Sequence, residues 1–302
     1  MNPAEREREP AIDHATARAT NRPIRVAEIR SSPPISSFAW RLARQVWKLK
    51  RDRTDPRDRG LASTYLRLKL RQRLLRRFPS WERKRERLLG LSIELFDYWT
   101  FVYLFEEIFV AETYRFECES DRPRIVDCGS NIGLSLLYFK HRHPRARILG
   151  FECDPETFEL CERNVRKNAL ADVEVRSEAL FPGRDRVTLY RDPNWRGAPF
   201  MSLDRRMVAL SGSAAAEPAP SSQVRATALS PHLDGPVDFL KMDIEGVEAA
   251  VLEELSTSGK LGLVRQMVVE YHHHIAPPSS LSRVLGLLEQ NGFGYQIRAG
   301  FD

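Results

Sequence analysis

The sequence predicts an α/β fold: a doubly wound, mostly parallel, Rossmann-like sheet preceded by a basic N-terminal extension. Three observations carry this reading. From residue 124 onward, short apolar runs alternate with amphipathic segments of helical period. The first run ends in an acid and a glycine-bearing turn, Asp127 to Gly133, and later runs end in Glu152 and Asp243, where open α/β sheets receive their ligands. Charge is divided: residues 1–90 hold 24 of the 47 Lys and Arg but only 10 of the 41 Asp and Glu.

Residues 1–37 mix charge, Ala, Ser and Pro without periodicity and are expected to be disordered. Across 38–90, Phe38, Trp40, Leu42, Val46, Trp47, Leu61, Tyr65, Leu66, Leu68, Leu70, Leu74, Leu75 and Phe78 stand among many arginines and read as short basic amphipathic helices. Such helices can pack on their own domain, which is the preferred reading, or meet an anionic partner or membrane surface. The extension therefore ends at 90, and 91–302 form the α/β domain. Residues 91–116 are helical in character and aromatic on more than one face, hence buried. Glu94, Asp97, Glu106 and Glu107 interrupt them, so no transmembrane segment is expected. Four cysteines without a C-x-x-C pair, and no apolar leader, fit a reducing cytoplasm.

Strands are expected at 124–128, 147–151, 173–177, 187–190, 237–242 and 264–271, and helices at 134–141, 156–169, 247–255 and 281–290. Residues 211–222 are low-complexity and read as a loop, either a lid or a tolerated insertion.

Chemistry concentrates at the strand ends. The turn reads D-x-G-x-N-x-G, not G-x-G-x-x-G, which points away from a dinucleotide and toward S-adenosylmethionine. Gly129 and Gly133 allow close backbone approach, while Asp127 and Asn131 offer groups for a zwitterionic amino-acid tail. Glu152 suits ribose hydroxyls. Asp243 reaches the ligand edge and can hold an amino group, whereas Glu245 and Glu248 open a helix whose dipole they complement. On a continuing strand, Glu270, His272 and His274 share one side and Tyr271 and His273 the other. An imidazole there can take a hydroxyl proton. Adjacent histidines cannot all face one ion, and H-x-x-x-H is absent, so no metal site is expected.

Four segments resemble the FkbM-type methyltransferases of the class I S-adenosylmethionine-dependent superfamily: VDCGSNIG at 126–133, GFECDP at 150–155, DFLKMDIEGVE at 238–248 and VVEYH at 268–272. The K-x-D-x-E-G-x-E element is the most specific of these. EEIFVAETY at 106–114 resembles the family's lead-in, and the likeness covers roughly 95–300 but neither 1–90 nor 211–222. The resemblance implies a Rossmann-like methyltransferase sheet and methyl transfer to a hydroxyl oxygen of a sugar or secondary metabolite. It also implies that Asp127, Gly129, Asn131 and Gly133 line the methionine end, that Glu152 holds the ribose, that Glu178 and Ala179 border the adenine, and that Asp243 faces the reacting end.

The main reading is thus an O-methyltransferase using S-adenosyl-L-methionine, with a small-molecule or glycan acceptor. Candidate bases are His272 and Asp243, with Glu270 orienting. Two alternatives stay open: a nicotinamide-dependent oxidoreductase, and a non-catalytic binding protein acting through the basic arm. No aromatic stacking module for nucleic acid is visible, so nucleic-acid binding is ranked low.

Overall fold

A computed structural model of the chain describes residues 35–82, 84–190, 221–272 and 280–298. The disorder expected for 1–37 falls almost wholly outside the described residues, as do residues 211–220 of the expected loop and His273 and His274. Two compact units are present, Met1–Trp40 and Arg41–Asp302, and the description that follows concerns the second.

At its centre lies a five-stranded parallel sheet of β3 (Arg124–Cys128), β4 (Arg147–Phe151), β5 (Val173–Arg176), β9 (Phe239–Met242) and β10 (Met267–Val269). The spatial order is β10-β9-β3-β4-β5. Strands β3 and β9 are near-continuous buried runs, as a parallel sheet covered on both faces requires. From β3 the chain steps outward to β4 and β5, then returns to β9 on the other side. The order therefore reverses between β3 and β9, and a crevice opens at their carboxyl ends. Helices α4 (Leu134–Arg142), α5 (Pro155–Lys167), α6 (Glu248–Thr257) and α7 (Ser280–Gln290) follow β3, β4, β9 and β10. The α/β expectation holds, with β9 and β10 shorter than expected. Val237 and Val264 form only an isolated bridge, separated from β10 by Arg265 and Gln266.

A second sheet, β6-β8-β7, stands beside the first. Strand β7 (Arg186–Tyr190) runs antiparallel to β8 (Ser221–Thr227), and β6 (Ala179–Leu180) runs parallel to it. Strand β8 was not expected: it has a single fully buried residue, Val224, and begins with Ser221 and Ser222 of the presumptive loop.

The N-terminal portion departs from its all-helical expectation. Helices α1 (Ile35–Asp52) and α2 (Leu61–Leu75) form as read. Residues 85–94 instead make a hairpin of β1 (Arg85–Leu88) and β2 (Leu91–Glu94). Leu89 and Gly90, with φ of 49° and 86°, supply its two-residue turn, and only such left-handed pairs match the twist of the flanking strands. The expected boundary at 90 is thus the second turn residue. Of the helix expected over 91–116, only α3 (Tyr98–Phe105) and the π-helical turn Glu106–Val110 are helical. Asp97 starts α3 by accepting from Thr100 N at 2.5 Å.

Helix α2 packs through Leu61, Tyr65, Leu68 and Leu75, and the Tyr65 hydroxyl donates to Glu106 at 2.9 Å. Arg67 and Arg71 pair with Glu86 of β1. The opposite face leaves Leu66, Leu70 and Leu74 exposed, so one side of the helix is committed to the domain and the other is not. No helix among the described residues is long and apolar enough to cross a membrane.

Candidate active site

The crevice between the ends of β3 and β9 is built from backbone first. Gly129 N and Ser130 N donate to Phe151 O at 3.0 and 2.8 Å, locking the glycine turn to the end of β4. Asp243 N donates to Cys128 O at 3.0 Å, and Glu270 N to Met242 O at 2.8 Å, so both acids leave the sheet in register with its last rungs. Gly129 has φ +87°, and a Cβ there would lie 1.9 Å from the carbonyl oxygen of Asp243. Only glycine lets the β3 turn close on the β9 end.

The resulting cleft is open to solvent and is lined by Gly129, Asn131, Leu134, Phe151, Glu152, Glu178, Ala179, Leu180, Leu189, Asp243 and Glu245 among others. Of the residues singled out from sequence, Gly129, Asn131, Glu152, Glu178, Ala179 and Asp243 come together on this wall. Asp127, Gly133, Glu270 and His272 are not part of it.

Glu152, at the end of β4, is buried and accepts Asn131 N at 2.9 Å on Oε2 and Asp154 N at 2.8 Å on Oε1. Burial pushes its pKa up to about 7, against the pull of these two N–H groups. Each carboxylate oxygen has a further lone pair, and the residue lines the cleft. Glu178 contributes a second acceptor: its Oε2 is buried with no hydrogen-bond partner among the described residues, while Oε1 lies 3.5 Å from Arg225. Two acceptors beside Phe151, Leu180 and Leu189 fit a nucleoside, with ribose hydroxyls at Glu152 and an exocyclic amine at Glu178. The residues present therefore fit an adenosyl cofactor.

Beneath the turn sits a buried charge cluster. Asp127 is fully buried. Its Oδ2 accepts from Ser135 Oγ at 2.5 Å, and its Oδ1 lies 3.5 Å from the Lys241 ammonium. Lys241 also lies 3.6 Å from Asp243 Oδ2 and donates to the carbonyls of Cys128 and Gly129. Burial opposes its charge, but Asp127 and Asp243 outweigh burial and hold its pKa well above the usual lysine range. Lys241 received no role in the sequence reading. Its signal was there: one charged residue inside the buried run Phe239–Met242, where an ammonium persists only if paired.

At the far end, His272 is oriented by Glu248 rather than by Glu270 as expected. Nδ1 lies 3.0 Å from Glu248 Oε1, whereas Glu270 is 4.0 Å from Nε2. The reason is local: Glu248 opens α6 and turns back to accept Gly246 N, at 3.0 and 3.1 Å, which places its carboxylate under the imidazole. Nε2 lies 3.3 Å from Glu245 Oε2 and reaches the cleft through it. Burial disfavours the imidazolium, but Glu248 and Glu245 overcome this and push its pKa up to about 9. Burial and the neighbouring acids raise Glu245 and Glu270. One ligand atom each from Asp243, Glu245 and His272 lies within 4.8 Å of the others.

Residues 127–295 match the Methyltransferase FkbM domain. The chain is similar to Methyltransferase sdnD of Sordaria araneosa, 31% identical over 214 residues, covering 63% of this chain and 81% of that protein. It is also similar to Methyltransferase 1 of Beauveria bassiana (strain ARSEF 2860), 28% identical over 215 residues, covering 65% and 82%. Among solved structures, precorrin-6y C5,15-methyltransferase from Geobacter metallireducens GS-15 aligns with a TM-score of 0.35 at 13% identity, covering 62% of this chain and 70% of that one.

Proposed function

Because the chain belongs to the FkbM methyltransferase family, we propose that it transfers a methyl group from S-adenosylmethionine to a hydroxyl oxygen of a small metabolite or glycan. The observation that carries the cofactor half is the acceptor pair in the cleft, Glu152 at the end of β4 and Glu178 Oε2, buried and without a hydrogen-bond partner among the described residues. In this reading Glu152 takes the ribose hydroxyls, Glu178 takes the adenine amino group, and the glycine turn lies against the amino-acid tail. The cofactor supplies a methyl already activated on a sulfonium sulfur, so the protein mainly positions the nucleophile.

Asp243 serves as the general base. It lines the cleft, and its Oδ2 lies 3.6 Å from the Lys241 ammonium. It accepts the proton of the acceptor hydroxyl as oxygen becomes nucleophilic, a contribution of about 10²–10⁴-fold. His272 stands beside it, with Nε2 3.3 Å from Glu245 Oε2.

Calorimetry with S-adenosylhomocysteine and with NAD, run separately, tests the cofactor. Binding of the first alone is expected, and binding of NAD alone would overturn the reading. Asp243→Asn should lower turnover about a hundredfold or more while leaving S-adenosylhomocysteine affinity within a few-fold. Unchanged turnover would remove Asp243 as the base.

A further inference from the structure

We propose that Asp243, Glu245 and His272 form a binding site for a divalent metal ion of intermediate hardness, of the Mn²⁺ class, at the acceptor end of the cleft. The three side chains come from two segments, the turn after β9 and the residues after β10, and the sheet register brings them together. Their ligand atoms all lie within 4.8 Å of one another, close enough for one ion to gather them. Asp243 and Glu245 face the cleft, so an ion held there is open to a ligand in it.

The strongest support lies behind the imidazole. Metal-binding histidines use one ring nitrogen on the ion and donate the other N–H to a carboxylate, which fixes ring and tautomer. His272 has this arrangement: Nδ1 is 3.0 Å from Glu248 Oε1, and the Glu248 side chain is 1% exposed. Glu248 is itself fixed by the backbone N–H groups of Gly246 and Ile244. That leaves Nε2 aimed at the two cleft carboxylates. An imidazole fixed from behind by a buried acid is not explained by helix capping, the role that the sequence alone assigns to Glu248.

Charge points the same way. Asp243, Glu245, Glu248 and Glu270 converge on one region. The one lysine among them, Lys241, is shared with Asp127. A divalent ion would offset this charge and take the imidazole as a neutral ligand. One nitrogen and two carboxylate donors suit Mn²⁺ better than soft-ligand metals and leave coordination positions open. On the methyl-transfer reading above, an acceptor hydroxyl would take one of them, with its proton made more acidic by the ion. The metal site itself does not depend on that reading.

The test is an electron paramagnetic resonance titration of Mn²⁺ with the chelator-treated full-length chain. Wild type should silence one equivalent of the free-ion signal. Glu245→Gln, Asp243→Asn and His272→Ala should each weaken binding about tenfold or more. Glu248→Gln, which touches no ion, should weaken it by about 10–100-fold. S-adenosylhomocysteine calorimetry and thermal melts on the same samples establish that each variant is folded. No bound Mn²⁺ in wild type, or equal binding by wild type and all folded variants, would overturn the site. Because Mn²⁺ and S-adenosylhomocysteine are read separately, failure of the metal site would leave the cofactor assignment standing.

Discussion

Lys241 carries more of the site than any residue that faces a ligand. Its ammonium is the counter-charge for the fully buried Asp127, and its donated hydrogen bonds hold the carbonyls of the glycine turn. Removing one partner of a buried pair strands the other, at about 3–5 kcal/mol. Lys241→Met should therefore destabilise the protein by that order in urea denaturation. Adding Asp127→Asn should restore part of the loss, and a purely additive double variant would mean that the two do not interact. Two glycines with nearly equal backbone angles make a second residue-scale contrast. Gly129 and Gly90 have φ of +87° and +86°. An added Cβ meets the Asp243 carbonyl at 1.9 Å in the first case and nothing within 4 Å in the second. Gly90→Ala should cost only left-handed strain, about 1–2 kcal/mol, with S-adenosylhomocysteine affinity unchanged. Gly129→Ala should abolish measurable affinity, because the β3 turn and the β9 end cannot both keep their places.

Among the elements, α5 connects the N-terminal hairpin to the site. Asn164 and Asn168, one helical turn apart, stand against alternate residues of β2 and imitate a neighbouring strand. Asn164 accepts Glu94 N at 2.7 Å and donates to Glu94 O at 3.0 Å, while Asn168 accepts Ser92 N at 2.8 Å and donates to Ser92 O at 2.6 Å. The hairpin's exposed edge is thereby closed by side chains. Asn164 also donates to Ile132 O within the glycine turn at 2.8 Å, and Asn168 makes no such contact. Asn164→Ala should cost about 2–3 kcal/mol from buried groups left unpaired and should weaken S-adenosylhomocysteine binding severalfold. Asn168→Ala should lower stability alone. Equal affinities in both variants would show that α5 does not support the turn. None of this pairing is legible in sequence, and the contrast with what is legible has a physical basis. Strands β3, β4 and β9 announce themselves because most of their residues are buried and apolar on both faces. Strand β1 hides because its inward positions are Glu86 and Leu88, and the buried Glu86 is paired with Arg67 and Arg71, which stand 19 and 15 residues earlier. The cleft's acids were readable as strand ends. Lys241 and the Glu248–His272 pair were not assigned, since their roles depend on which strands lie side by side.

At the scale of the molecule, one buried acid couples folding, pH and ligand. The pKa of Glu152 rises to about 7 in the folded protein from an ordinary 4.5, with burial as the main cause. The folded state thus holds a proton that the unfolded state has released, so stability from this group is complete below pH 4.5 and is lost as pH rises through about 7. At the acid end the sign reverses. Asp55, whose pKa is lowered to about 2 chiefly by its hydrogen bond from Arg57, adds stability above pH 3.8 that fades as pH falls toward 2. The ligand-free protein should therefore be most stable in mildly acidic solution, with a melting temperature that falls between pH 5 and 8. Cofactor binding should move the opposite way over the same window. A ribose hydroxyl donates best to the ionised carboxylate, so S-adenosylhomocysteine affinity should rise with pH, by up to about tenfold per unit, and level off above about 7. Glu152→Gln cannot titrate, and it should flatten the affinity profile, with weaker affinity throughout, and lessen the slope of the melting profile, to which the raised Glu270 also contributes. Melting curves and calorimetry across pH 5 to 8 on the two proteins measure this directly. If the wild-type affinity keeps its slope in the Gln variant, the titrating group lies elsewhere and Glu152 is not what the ribose meets.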